Sequence, residues 1–560
     1  MLFINVERIM KNFWKIICFV MVLPSLLCVS CSDDDEYNRN KTPIINPTPG
    51  GDEPNDSTSQ NPTVSYYTDP NYYAGFFAFN VMNDVYLWKD EIASSLSNWK
   101  MNEDPIKKVD AIRYKQNGTY VDKWTQLTND YESFIGGVDG VPTTTYGYDF
   151  QLYYKDNTRT TLVAVITFVY PDSPASKAGL HRGDAIFTVN GKDITVNNYA
   201  DLLFYSSTGE FAILNDKGDG LETITMSAVN MYENPVLMTK VFDCDGKKVG
   251  YLAYLSFTLD SCEDLIKAAK LFKEQGVTEL ILDLRYNGGG YVITEQLLAS
   301  LLGPKEVVMN KEVFETEIWN KDYMDYYKKQ GVDLNTYFET EYNFEDHNGK
   351  KHTYSTKDAN IGLTKIYALL ASGSASASEA VLVGLKPYMD IEIIGQQSHG
   401  KYCTGWIMSA TDWFQDIVDN YAQLSKEQPS KYKSFVETFP EYEKWETYAK
   451  NWGIYVMISR YADKNGNNPC MPNGFTPDIE VEDNPQEPYD LGDDREALLR
   501  KALTKAGYTN FTPIEDNKGT SRAAIRNIGV PFKSVSRNPL DGKRILLQRP
   551  HKTYDLKQPQ

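Results

Sequence analysis

The chain has 560 residues, 41% hydrophobic and 24% charged, an ordinary globular balance spread over too many residues for one core. About two to four domains are expected from that length. A formal charge of −19 argues against nucleic-acid binding, since phosphate neutralisation needs a basic surface.

Residues 1–30 read as a targeting segment. Lys11 and Lys15 precede an apolar run, Ile16 to Leu27, that is too short to span a bilayer. Met10 is an alternative start, since MKNFWK makes a cleaner opening. Cleavage before Cys31, in Cys28-Val29-Ser30-Cys31, would resemble a bacterial lipobox and leave Cys31 lipidated as a membrane anchor; a plain secretory signal is the other reading. The run Ser32-Asp33-Asp34-Asp35-Glu36 resembles the surface-export signal of Bacteroidetes lipoproteins, and is otherwise a solvated charge run. The address expected is the cell envelope: an outer-membrane lipoprotein exposed at the cell surface, with the periplasmic face as the alternative. Residues 31–68 lack apolar periodicity and are expected to form a disordered tether.

Residues 69–140 predict a small helical domain, because large apolar residues recur at helical spacing from Phe76 to Trp88. Residues 144–231 form a second unit. Thr161 to Val169 and Ala185 to Val189 read as strands, Pro174 to Leu180 as a short helix, and Asn190-Gly191 as a hairpin turn. The string DSPASKAGLHRGDAIFTVNG, Asp172 to Gly191, resembles PDZ domains, which add an extended peptide to a sheet edge. That resemblance implies a β-sandwich-like domain whose carboxylate loop is Tyr146, Gly147, Tyr148, Asp149 and Phe150. Tyr148 departs from the small or aliphatic residue usual there.

Residues 238–510 alternate strand and helix and predict an α/β domain. Val249 to Leu255 and Glu279 to Arg285 read as strands around an amphipathic helix from Ser261 to Gln275. The second strand runs into Asn287-Gly288-Gly289-Gly290, followed by a helix from Val292 to Leu302. Glycines there let a backbone approach a ligand, and a helix N-terminus favours an anion. Ile293 stands where a dinucleotide fingerprint needs its third glycine. Residues 310–358 are polar and Tyr-rich and read as an insertion, a flap or plain surface decoration; residues 412–452 read as another. From Ile366 to Ala371 an apolar strand breaks into Ser374, Ser376 and Ser378, a helix follows over Ala380 to Leu385, and Ile391 to Ile394 leads to a loop carrying Lys401. A lysine returning there could serve as base to one of the serines. Ser376-x-x-Glu379 also reads as a helix capping box.

DLRYNGGG, then SASASEA with GK 25 residues on from its middle serine, resembles the active-site region of the S41 serine peptidases, the C-terminal (tail-specific) processing proteases. The resemblance implies an α/β, multidomain chain with a ClpP/crotonase-like catalytic domain. It implies Ser376 as nucleophile, Lys401 as general base, and an oxyanion hole from Gly289 or Gly290 together with Ala377 N–H. The segments around Gly474 and from Leu491 to Leu499 resemble the end of such domains, and residues 69–140 the helical region that precedes the PDZ domain. Many members carry a glutamine four residues after the lysine, where this chain has Gly405; Thr404, a backbone carbonyl or nearby His399 are the candidates to replace it. Residues 511–560 resemble nothing in the family. From Asn517 onwards they carry ten Lys or Arg against two acids, and either dock on the acidic body or stay mobile.

No cofactor or metal is expected. The five histidines are scattered, no H-E-x-x-H or paired C-x-x-C occurs, and Asp463 to Asn467 lacks the ligands of a calcium loop. Cys244, Cys262, Cys403 and Cys470 are too few for a disulfide framework, with a Cys403–Cys470 pair left open. The expected activity is that of a serine endopeptidase working through a Ser–Lys dyad and an acyl-enzyme on protein or peptide substrates, with the PDZ domain binding or gating them. The alternative is a low-turnover peptide-binding surface lipoprotein. A polysaccharide-capturing lipoprotein fits the address but neither signature.

Overall fold

The computed structural model describes residues 70–547, apart from 101–102, 139–142, 156, 216–219, 431–432, 434–443, 515–528 and 533–539. The targeting segment, Cys31, the acidic run and the tether lie outside the described residues. Helix α1 (Pro70–Asp84) opens the described chain and buries Phe76, Phe77, Phe79, Val81 and Met82. Its aromatic face meets Trp413 and Phe414, with Phe76 stacked on Phe414 at 6.3 Å and Phe77 edge-on to Trp413 at 5.6 Å. Strand β1 (Gln126–Thr128) then pairs antiparallel with Gly453–Tyr455, so this region is sewn onto the domain that follows.

The second unit is a sheet of β2 (Tyr148–Tyr154), β3 (Leu162–Val169), β4 (Ala185–Val189), β5 (Thr208–Leu214) and β6 (Leu221–Ser227), ordered β6-β5-β4-β3-β2. Two short helices, α2 (Pro174–Lys177) and α3 (Tyr199–Leu203), complete it. Asn190 and Gly191 both take positive φ, 52° and 69°, the pair of left-handed residues that a tight hairpin turn demands. One face of the sheet buries Phe150, Leu152, Ile166, Ile186 and Phe211 in a common core with Tyr199 and Leu203.

From Val236 the chain alternates β7 (Val236–Cys244), β8 (Lys247–Tyr254), α4 (Ser261–Glu274), β9 (Glu279–Asp283), β10 (Gly289–Tyr291), α5 (Val292–Leu302), β11 (Val313–Trp319), β12 (Asn335–Tyr337), β13 (Lys365–Leu370), α6 (Ala377–Leu385), β14 (Asp390–Gly395), β15 (Cys403–Ser409), α7 (Ala410–Glu427), β16 (Gly453–Ala462), β17 (Ile479–Glu480) and α8 (Ala497–Ala506). Two sheets result. The first, β7-β8-β9-β13-β14-β17, is parallel except for β7, and its middle strands are continuous apolar runs because both faces are covered. Helix α6 leaves β13 of that sheet, is buried along its whole length, and packs on β11 and β16 of the second. Its approach to β11 is close: a Cβ on Gly384 would lie 2.2 Å from the Phe314 ring.

The second sheet departs from the sequence reading. Residues 310–358 do not all lie outside the sheets, because β11 pairs with β16. Its buried residues include Glu315 and Glu317, so the strand shows no apolar alternation to read. The reason for those glutamates is the C-terminal tail. Strand β18 (Pro531–Phe532) pairs with β2, and β19 (Lys543–Ile545) runs between β10 and β15. Arg544 is fully buried there and donates to Glu295 (2.8 Å), to Glu317 (2.7 Å) and to Glu315. The tail therefore docks, and it docks inside the sheet rather than on the surface. Removing one partner of a buried charge cluster typically costs about 3–5 kcal/mol. Arg544→Ala is expected to lose stability of that order, read as a fall in the denaturant midpoint followed by tryptophan fluorescence.

Candidate active site

The small-residue loop after β13 is held to the loop after β9 by its own hydroxyls. Ser374 Oγ donates to Leu284 O at 2.8 Å, Ser378 Oγ donates to Asn287 O at 2.8 Å, and Ala375 N donates to Asn287 O at 3.1 Å. Of the three serines, only Ser376 keeps a buried Oγ without a hydrogen-bond partner among the described residues. Its backbone is at φ 66°, ψ −115°, a conformation that a non-glycine residue holds only when its surroundings enforce it. The enforcing group is Glu379, whose Oε2 accepts from Ser376 N at 3.0 Å. That is one half of the capping box. It also explains why α6 begins at Ala377, three residues before the apolar run suggests.

Glu379 does more than cap. The same carboxylate accepts from Gly400 N (2.7 Å), Lys401 N (2.9 Å) and Ser398 Oγ (2.5 Å), tying the serine loop to the lysine loop. Burial pushes its pKa up against the pull of these donors. Lys401 is wholly buried, and its Nζ donates to Tyr455 Oη at 2.7 Å and to Gly542 O at 2.6 Å. The rings of Trp124 and Tyr455 flank the amine, with centroids at 5.4 and 5.0 Å. No carboxylate bonds to it among the described residues. Desolvation drives the Lys401 pKa well below the ordinary lysine value, and the charges of Lys543 and Arg544 push the same way, whereas Cys403 and Asp122 oppose it. The backbone amides of Ser376 and Lys401 thus converge on one carboxylate, and both side chains are buried. They are not hydrogen-bonded to each other; the amine is turned toward Tyr455 and Gly542.

The position of Gly405 explains the missing glutamine. A Cβ there would lie 2.3 Å from Tyr455 Cε2, so the tyrosine ring occupies the space a side chain at 405 would need. Its hydroxyl reaches the amine from β16, and it also donates to Arg544 O at 3.1 Å. Of the candidates weighed from sequence, a backbone carbonyl does serve, that of Gly542. Thr404 instead donates to Glu317, and the His399 backbone N–H donates to Ser374 O. Gly289 (φ 112°) lies against the serine: its Cβ would stand 2.7 Å from Ser376 Cβ and 2.5 Å from Lys543 O. Its N–H donates to Asn287 Oδ1 at 2.9 Å. Gly290 (φ 143°) adjoins Phe257 O, and Ala377 is the first residue of α6.

In the second unit, Gly147 (φ 77°) turns the chain against Ser173, and Tyr146, Tyr148 and Phe150 point into the core, Asp149 alone being exposed. Tyr148, at the start of β2, donates to Leu203 O at the end of α3 at 3.3 Å. This unit reaches the catalytic domain through Arg182, which is buried and donates to Asp483 (2.7 Å) and to Tyr286 Oη (2.5 Å), one residue before Asn287. Arg285 binds the same Asp483 and is further held by Asp283 and Glu496. All four described cysteines are free. Among the described residues no group of three His, Cys, Asp or Glu is placed to hold a metal ion.

Residues 248–481 match the family described as peptidase family S41, and residues 165–210 match the PDZ domain. The chain carries an S41 peptidase domain. A carboxy-terminal processing protease of Bacillus subtilis, CtpB, is 25% identical over 241 residues, covering 42% of this chain and 44% of that protein. A carboxyl-terminal-processing protease of Picosynechococcus is 28% identical over 144 residues, 25% of this chain and 34% of that protein. The chain spans less than half the length of these curated relatives. A solved structure from Bacteroides fragilis, assigned to the S41 proteases, covers 77% of this chain and 96% of its own at 22% identity, with a TM-score of 0.55, and has the same fold.

Sequence reasoning missed three residues around Lys401: Trp124, Tyr455 and Gly542. The one signal available was Gly405, which demands a substitute without saying which. Overpacking a tight contact typically costs about 1–3 kcal/mol. Gly405→Ala is expected to lower the unfolding midpoint by that order. The loss in the double variant with Tyr455→Leu should fall short of the sum of the two single losses, measured as a double-mutant cycle.

Proposed function

We propose that this chain is a serine endopeptidase in which Lys401, as a neutral amine, removes the proton of Ser376 Oγ. One observation carries the reading. The single buried serine hydroxyl left unengaged in its loop belongs to a residue whose backbone amide shares the Glu379 carboxylate with that of a lysine whose charge burial disfavours. A serine hydroxyl is a weak nucleophile until a base takes its proton, and lysine is a base only when neutral. The amine leaves Tyr455 and Gly542 for Oγ as peptide enters. Oγ then attacks the scissile carbonyl, and the lysine returns its proton to the leaving amine. Water, activated by the same lysine, releases the acyl group. The amides of Gly290 and of Ala377 receive the oxyanion, each donor typically worth about 3 kcal/mol, the Gly289 N–H being held by Asn287 Oδ1.

The PDZ domain binds or gates the peptide. Support for gating comes from Arg182, which joins that domain to Tyr286 and Asp483 beside the glycine loop. Lipidation at Cys31 and export to the cell surface are inferred from sequence, and radiolabelled palmitate on the wild-type but not the Cys31→Ala precursor is the expected outcome.

Casein hydrolysis by purified protein tests the reading. Ser376→Ala and Lys401→Ala are each expected to lose at least about a thousandfold in kcat/KM, as when one member of a catalytic unit is removed. Equal cleavage by all three forms would remove the dyad, and cleavage by none would favour a binding module. The rate should rise with pH on one ascending limb, because the protonated amine is inactive, with its midpoint below the ordinary lysine value of about 10.4. Tyr455 accepts from the amine, and such a bond is stronger to the charged form. Tyr455→Phe should therefore move the limb to lower pH while reducing kcat, a shift that loss of packing alone would not give.

A further inference from the structure

The tail touches the body at two described places, and the two differ in kind. At β19 it is buried, laddered on both sides and pinned by Arg544. At Gly529–Phe532 it lies on an edge. Tyr154 N donates to Val530 O at 3.1 Å, Gly529 N to Tyr154 O at 3.3 Å, and Gln151 Nε2 to Phe532 O at 3.1 Å. Pro531 faces Tyr153 and Phe532 faces Leu152 in an antiparallel register. Phe532 is half-buried, with its ring 5.5 Å from Tyr154 of β2 and 5.7 Å from Tyr199 of α3, so it lies between the edge strand and the helix. Val530 is 60% exposed. Two paired residues, one of them a proline that donates nothing to the ladder, make a weak attachment to an otherwise open edge.

We propose that Gly529–Phe532 is a built-in ligand of the PDZ domain, and that an incoming peptide takes the β2 edge by displacing it while β19 stays in the sheet. The class of peptide follows from the groove. Tyr148 bridges β2 to Leu203 of α3 at the end where a terminal carboxylate would enter, and its ring lies in the core. The groove therefore suits an extended internal segment carrying an aromatic residue, as the tail itself supplies, rather than a free C-terminus. Because the tail is covalently attached, its local concentration is on the order of millimolar for a short linker, and a free peptide must outcompete that. The inference rests on reading the PDZ domain as a peptide binder, and its test leaves hydrolysis aside.

The test uses the full chain with Ser376→Ala, to prevent cleavage, and a fluorescein-labelled peptide copying residues 525–536, followed by anisotropy. Phe532→Asp should release the edge and tighten peptide binding by at least about tenfold, as removal of a tethered competitor does. A second chain, Tyr153→Cys with Pro531→Cys, places cysteines directly opposite across the ladder, within disulfide reach. Oxidised, it should bind no peptide; reduced, the same protein should bind again, which separates displacement from misfolding. Equal affinity in the parent and Phe532→Asp chains, or equal binding by the oxidised and reduced pair, would overturn the proposal. Casein hydrolysis by the Ser376-containing parent, measured alongside, reports on the peptidase reading independently.

Discussion

A fully buried amine with no carboxylate bonded to it among the described residues is the condition on which the rest of this molecule depends. Coulomb attraction to a near acid would raise the lysine pKa and remove the base, whereas burial lowers it. The fold meets the condition with neutral partners, a phenol and a carbonyl, and with two aromatic rings. Glu379, whose carboxylate accepts from the Lys401 amide, is spent on backbone N–H groups and a hydroxyl rather than on Nζ. The same carboxylate imposes the strained backbone of Ser376, so a single buried group orders both loops.

Keeping that site dry requires pieces from distant parts of the chain. Trp124 comes from the N-terminal region, Tyr455 from β16 and Gly542 from the tail. The tail is not an appendage in this respect. Arg544 binds three glutamates on α5 and β11, and nearby Gly542 gives the lysine an acceptor. A buried cluster of one arginine and three carboxylates is costly unless complete, which makes the docked tail a condition of the sheet rather than a choice of the surface. The PDZ edge is the contrasting case, a shallow contact in a region held to the catalytic domain through Arg182 and Asp483.

Much of this was legible in the sequence because it is local. Val292 to Leu302 is a helix over the residues its pattern predicts, Asn190-Gly191 turns as its composition requires, and the apolar runs of β9, β13 and β14 are strands close to their expected bounds. The glycines at 289 and 290 mark a backbone approach that only glycine permits, and they lie against Ser376 and Phe257. What stayed hidden is non-local. Glu315 and Glu317 make β11 look like surface, and Lys543-Arg544 makes the tail look solvated, until each is seen to be the other's partner. Tyr455 replaces a side chain missing from the adjacent strand, a relation visible only once β15 and β16 are paired.

The most direct measurement is acylation of the serine itself. Intact-mass detection of a fluorophosphonate on Ser376, across pH, reports the nucleophile without substrate binding or product release. A labelling rate that climbs through one titration well below the ordinary lysine pKa of about 10.4, and that disappears in Lys401→Ala, is the predicted result. Labelling unchanged by Lys401→Ala would contradict the account, and so would a titration at the value of an exposed lysine.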